Sequence, residues 1–215
     1  FLKRRTGGHL APAEVVGSGV DLPADATPDI FRRTFGLDGP YLLYVGRIQK
    51  EKGCDELFAH FLSLPDATKR ATPLVLIGKA AMPIPASPTI RSVGFVSDEL
   101  KASALKGATL LILPSRFESL SLAVLEAWAS GIPVLVNGQC DVLLAQCRRS
   151  NGGLWYTNRD EFAAALTMLT ARENEPLRAA LARNGSQYVS ANYDWTAIEQ
   201  KYLAAANRLV DAPAP

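Results

Sequence analysis

The chain has 215 residues, 48% of them hydrophobic and 20% charged, the balance of a folded globular protein rather than a disordered one. Lys plus Arg is 23 and Asp plus Glu is 21, a net charge of +2, which excludes the broad basic field of a general nucleic-acid binder. Any anion bound here is met by a few placed cations.

Cys54, Cys140 and Cys147 are odd in number and form no C-x-x-C pair. Neither a disulfide framework nor a zinc site is supported, and a reducing compartment is the simpler reading. No apolar run reaches the ~18 residues of a membrane span. The start, Phe1 to Gly8, has a basic cluster with no apolar stretch behind it and no initiator Met. It reads as the beginning of a fragment rather than as a signal peptide.

In chain order, Tyr41 to Gly46 is a compact apolar run ending in glycine, and an amphipathic helix follows from about Lys52 to Leu64. Pro73 to Gly78 repeats the pattern. Ala80 to Thr89 carries Pro83, Pro85 and Pro88 and is expected to be a loop. A short strand, Ile90 to Val93, precedes a helix from Asp98 to Lys106 with Ser97 as its N-cap. Thr109 to Leu113 is the next strand. A helix from about Leu120 to Ser130 closes at Gly131, and Ile132 to Val136 is the fifth strand. After Asp160 the sequence reads as helical to the end: Asp160 to about Arg172, Glu175 to Ala191, and Asp194 to about Val210, with a Pro-Ala-Pro tail. No repeat of fixed period is present.

Continuous apolar strands separated by helices imply a parallel sheet covered on both faces. The right-handed crossover rule makes this a doubly wound, Rossmann-like α/β domain with a helical C-terminal extension. Its ligand site is expected beyond the carboxyl ends of the strands, where Gly46, Gly78, Phe95 and Ser115 fall.

Two segments carry candidate chemistry. In Gly46-Arg47-Ile-Gln-Lys-Glu-Lys52-Gly53, a glycine allows close backbone approach, a helix N-terminus offers free N–H groups, and Arg47 and Lys52 add two cations. That suits a pyrophosphate, although solvated surface charges would read the same way. Neither a Walker loop nor a G-x-G-x-x-G fingerprint occurs in the chain, which weakens ATPase and dehydrogenase readings. In the second segment, Glu118 stands before a helix and Glu126 within it, among Leu122, Val124, Leu125, Ala127 and Trp128. A carboxylate in such surroundings needs a partner. Eight residues of helix span at most ~12 Å, so both could touch one elongated polar ligand. The alternative is a Glu favoured by the helix dipole plus an exposed Glu on a polar stripe.

This second segment resembles the E-x7-E motif of the retaining glycosyltransferases of family 4. The Gly46–Gly53 stretch is similar to their diphosphate-binding strand end. Val16 to Asp21 is similar to the stretch entering their second domain, with Ser18 in place of Asn. The three in order cover about Val15 to Leu209. The resemblance implies half of a GT-B fold: residues 1–215 as a single nucleotide-sugar-binding domain, with 194–215 a helix and tail that would contact an absent N-terminal domain.

The resemblance further implies a retaining transferase whose donor is a nucleotide-diphospho-sugar of UDP or GDP type, with no cofactor and no metal. Arg47 and Lys52 would neutralise the diphosphate. Glu126 would hold the ribose hydroxyls through both carboxylate oxygens, and Glu118 the hydroxyls of the transferred sugar. Backbone groups of Leu120, Ser121 and Leu122 would reach sugar and phosphate. Gly46 would belong to the same donor site, at the diphosphate-binding strand end, and the base would lie near Gly78 and near Phe95 and Val96.

Three departures from the family pattern are Ser121 and Lys79, where glycine is usual, and the Pro-rich loop in place of a helix. Lys79 is expected to face solvent, and Asn137 to Cys140 stands at the family's glycine-rich position near the sugar. His60 reads as a surface or satisfied histidine rather than a ligand. The acceptor, a sugar or lipid-linked glycan, would be held by the missing domain. A cytoplasmic enzyme is implied, with peripheral membrane association of the full-length protein left open. Two other readings stay open: a non-catalytic nucleotide-sugar-binding module, and a GT-B nucleotide-sugar epimerase. The last helix is expected to leave an apolar strip exposed.

Overall fold

The computed structural model describes residues 16–21 and 26–210. The N-terminal basic cluster, His9 and the Pro-Ala-Pro tail lie outside the described residues.

Strands β1 (Leu42–Val45), β2 (Leu74–Ile77), β3 (Ile90–Gly94), β4 (Leu110–Leu113), β5 (Val134–Asn137) and β6 (Gly153–Tyr156) form one parallel sheet in the order β3-β2-β1-β4-β5-β6. Every residue of β2, β4 and β5 is buried, as expected of strands covered on both faces. Strand order reverses between β1 and β4. That reversal opens a crevice at their carboxyl ends, the usual place for a ligand in such a sheet.

The helices are α1 (Pro28–Phe35), α2 (Cys54–Leu62), α3 (Asp66–Ala71), α4 (Asp98–Gly107), α5 (Leu122–Ala129), α6 (Asp141–Ser150), α7 (Arg159–Thr170), α8 (Glu175–Asn192) and α9 (Trp195–Val210). Their ends follow local chemistry. Ser97 caps α4 by accepting from the Leu100 N–H. Asn158 caps α7 by accepting from Asp160 and Glu161, while the Glu161 carboxylate reaches back to the Thr157 N–H at 2.7 Å, a reciprocal arrangement that satisfies otherwise free donors.

The doubly wound reading holds, with corrections. No element was expected between Val136 and Asp160, yet α6 and β6 stand there and supply the sixth strand. In α6 the buried positions are Leu143, Gln146, Cys147 and Ser150, a correct helical stripe in which two polar residues and a thiol replace aliphatic ones. Nor does the sequence pattern mark the short helices α1 and α3. Helix α5 begins at Leu122 rather than Leu120, because Ser121 keeps an extended backbone. The Pro-rich segment is a loop, tied to the β1 end by the Ile48 N–H donating to the Lys79 carbonyl and the Ala81 N–H to the Ile48 carbonyl.

Val16–Asp21 lies against the start of α9. The Val20 N–H donates to the Tyr193 carbonyl at 3.1 Å, and a side chain on Gly19 would meet the Trp195 ring at 2.4 Å. Ile198 faces inward and is fully buried, whereas Trp195, Tyr202 and Leu203 are exposed. The expected apolar strip on the last helix is present.

Candidate functional site

The loops leaving β1, β4 and β5 are locked together at the crevice. After β1, a short 3-10 turn, Lys50–Lys52, ends at Gly53 in a left-handed conformation (φ 74°). A Cβ there would sit 2.4 Å from the Pro114 carbonyl oxygen, so glycine is what lets the β1 loop press against the β4 loop. The Ser115 hydroxyl donates to the Lys52 carbonyl at 3.4 Å and Asn137 Nδ2 to the Pro114 carbonyl at 3.0 Å. The Tyr44 hydroxyl donates to the Arg47 carbonyl at 2.7 Å. Burial first, then neighbouring Cys54, pushes the Tyr44 phenol far above its ordinary range, so it stays a neutral donor.

Lys52 Nζ meets Glu118 Oε1 at 2.8 Å, joining residues 66 positions apart. Glu118 is 11% exposed and Lys52 35%. Such a pair contributes at most ~1 kcal/mol of stability, so its interest is positional. Arg47 is exposed and has no side-chain partner among the described residues. Together with residues of the β5–α6 loop, Lys52 and Glu118 line a cleft of about 580 Å³ that also takes in Phe117, Ser119, Gln139 and Asp141. A larger cleft of about 780 Å³ lies beside it between α2 and Arg116–Phe117. It contains neither carboxylate of the E-x7-E segment, and its Arg116 is already bound to Glu56 through two contacts of 3.3 Å.

Glu126 does not pair with any cation expected from the sequence. Its Oε1 accepts from Lys101 Nζ at 3.0 Å, and the carboxylate is only 15% exposed. Lys101 also lies 3.2 Å from Asp98. Burial lowers the Lys101 pKa, but hydrogen bonds and charge from Glu126 and Asp98 outweigh it and hold the group above its usual value. Glu126 is therefore not an exposed residue on a polar stripe. Lys101 was not legible beforehand. The Asp98–Lys101 spacing is an ordinary helical pair, and nothing in sequence links it to a carboxylate 25 positions away.

The other expected residues divide. Gly46 and Gly78 sit side by side at the β1 and β2 ends. A Cβ on Gly78 would come within 2.0 Å of the Gly46 oxygen, so its glycine is required by strand-end packing whatever binds above. Phe95 is 88% exposed just past β3, and Val96 is half-buried. Leu120 is half-buried, Leu122 half-exposed, and Ser121 buried at the N-cap of α5 without a side-chain cap bond. The α5 N-terminal N–H groups are thus left uncapped by Ser121. Lys79 is exposed. His60 is a buried core residue against the rings of Tyr156 and Phe162; its Nε2 lies 3.5 Å from Glu56 and has no hydrogen-bond partner among the described residues, so it is neither a surface nor a satisfied histidine. Among the described residues no group of three or more His, Cys, Asp or Glu could hold a metal ion, and no helix is long and apolar enough to cross a membrane.

Residues 26–188 match the family model of the glycosyl transferases group 1. Mannosylfructose-phosphate synthase of Agrobacterium fabrum is 26% identical over 197 residues, covering 84% of this chain and 43% of that protein. Glycogen synthase of Mycobacterium tuberculosis is 30% identical over 213 residues, covering 93% and 50%. The chain spans about half the length of the curated relatives it matches. Among solved structures, sucrose-phosphate synthase of Thermosynechococcus elongatus superposes with a TM-score of 0.79 at 22% identity, over 98% of this chain and 56% of that one. Anabaena HepE in complex with UDP and glucose gives 0.73 at 16% identity, over 93% and 57%. At these identities the structural likenesses establish the fold.

Proposed function

The chain belongs to the glycosyl transferases group 1 family, and on that footing we propose that it is the donor-binding half of a retaining glycosyltransferase using a nucleotide-diphospho-sugar. The observation that carries the reading is the Lys52–Glu118 contact at 2.8 Å. It sets a cation of the Gly46–Gly53 loop against the first carboxylate of the E-x7-E segment, at the sheet's topological switch point.

In this reading the diphosphate lies across the β1 loop. Lys52 carries three N–H donors, so its bond to Glu118 leaves two for phosphate oxygens, and unpaired Arg47 adds a planar fork suited to phosphate. Stabilising charge on the departing diphosphate is the largest electrostatic task in the transfer, and two placed cations perform it without a metal. Ionised Glu118 only accepts hydrogen bonds and so binds hydroxyls of the transferred sugar. Glu126 binds the ribose diol. The base lies along Gly78, Phe95 and Val96, a UDP or GDP donor being equally served. Binding of UDP by the Anabaena relative supports this class of ligand.

The acceptor is proposed to be held by a second domain, to which the exposed Trp195, Tyr202 and Leu203 of α9 present an apolar face. Two domains that must close to align donor and acceptor leave this chain alone able to bind nucleotide but to turn over little. Isothermal titration of the chain with UDP and with GDP tests the reading. Binding of either supports it; no heat from either at millimolar concentration, with the fold intact, refutes it.

A further inference from the structure

The second carboxylate of the E-x7-E segment is held by a lysine that belongs to a different part of the site. Lys101 lies one turn into α4, whose first residue directly follows the Phe95–Ser97 loop leaving β3. The start of α4 is pinned by the Ser97 cap, and Asp98 holds the ammonium at 3.2 Å from the same helix face. The ammonium then crosses to α5, where it takes Glu126 Oε1 at 3.0 Å. Glu126 Oε2 has no partner among the described residues, although the carboxylate is 15% exposed. A largely buried carboxylate with one oxygen committed and the other open has a defined direction in which to accept a further donor. Removing the ammonium would leave the largely buried Glu126 carboxylate without its counter-charge.

We propose that Lys101 is a positioning residue of the donor site: by fixing Oε1 of Glu126 it presents Oε2 to the ribose hydroxyls of a nucleoside diphosphate. The inference rests on the assignment of Glu126 to the ribose made above. It also joins two parts of the site, because the helix that carries Lys101 starts at the loop beside which the base is placed.

The test is isothermal titration of the 215-residue chain with UDP and 2′-deoxy-UDP, and in parallel with GDP and 2′-deoxy-GDP. For the base that binds, the ribonucleotide is expected to be favoured about tenfold, the effect of one hydrogen bond to a charged acceptor. In Lys101→Met that preference falls towards unity while the affinity for the 2′-deoxy form changes little, and Lys101→Arg keeps most of it. A merely structural role would weaken both nucleotides alike and leave the ratio unchanged; that result in Lys101→Met overturns the proposal. Should Lys101→Met not melt cooperatively, Lys101→Gln carries the same expectation. Glu126→Ala separates the two levels. A ratio lost there but kept in Lys101→Met removes the role of Lys101 alone, whereas wild type without any preference removes the ribose assignment itself.

Discussion

Replacing Gly78 by alanine addresses the site's framework directly. A Cβ at Gly78 would stand 2.0 Å from the Gly46 oxygen and 2.7 Å from its carbonyl carbon, where ordinary contact begins at 3.4 Å, so a strand end must retreat by about 1.4 Å. Neither end is free to do so. The Gly46 N–H donates to Ile77 at 2.9 Å, the Gly78 N–H to Gly94 at 2.8 Å, and the Ile48 N–H to Lys79 at 3.0 Å. The obstructing atoms are backbone, so no side chain can swing aside, and Gly78 has φ +139°, which alanine rarely adopts. Overpacking of ~1–3 kcal/mol and backbone strain of ~1–3 kcal/mol together suggest a loss of about 3 kcal/mol, or ~6–12 °C in Tm for a chain of this size. Urea unfolding with an unchanged slope reads the stability. UDP titration reads the displaced Gly46–Arg47 loop, where affinity should fall as well. Gly39→Ala, at which an added Cβ meets nothing within 4 Å, is the control and should stay within ~0.5 kcal/mol of wild type. A Gly78→Ala chain as stable as that control would refute the close-approach argument.

Three further outcomes are expected. Arg47→Ala should weaken nucleoside diphosphate binding more than monophosphate binding, measured by titration of both; equal losses would contradict its assignment to the diphosphate. Gly185→Ala, within α8, should gain ~1 kcal/mol from helix propensity yet lower the Tm, because its Cβ would lie 2.2 Å from the ring of fully buried Trp128. That ring is held by its N–H bond to Gly152 at 2.8 Å, and a Cβ within 2.2–2.8 Å of three of its atoms puts the cost at the upper end of the ~1–3 kcal/mol of overpacking, above the gain. A raised Tm would show that the ring can shift. For His60, burial lowers the pKa below 6.5, with Glu56 opposing and Arg159 assisting. An unfolded histidine then binds protons that the folded one refuses, so this contribution is full above pH 6.5 and is lost as the pH falls from there through the folded value. Thermal melts at about pH 5.5 and 7.5 should show a smaller pH dependence in His60→Gln than in wild type; equal slopes would exclude His60 as the source.

Much of the sheet was legible because its strands are short and wholly apolar. Leu42–Val45, Leu74–Ile77 and Leu110–Leu113 announce a buried parallel sheet without any partner being known. The α6–β6 unit was missed for a physical reason. Gln146, Cys147 and Ser150 fill buried positions of α6, so its stripe is not hydrophobic in the usual sense. Asp141 in its first turn, Arg148 and Arg149 in its last, and left-handed Asn151 as C-cap were the remaining signals. Strand β6, Gly153–Tyr156, keeps half-buried Leu154 and exposed Trp155 at the edge of the sheet, and so lacks the continuous apolar run of the inner strands.

Net charge and motif order alone determined that few cations were available for an anion, and that Arg47, Lys52, Glu118 and Glu126 were the residues to watch. A sequence fixes which charges exist and how helical spacing groups them locally. It does not state which groups meet across loops. Only the tertiary structure decided that Lys52 binds Glu118 and that Glu126 is held by Lys101, because both contacts depend on how the loop after β1 and helix α4 pack against elements far along the chain. The same holds for Gly78, whose need for glycine arises from a neighbouring strand end 2.0 Å from its absent Cβ.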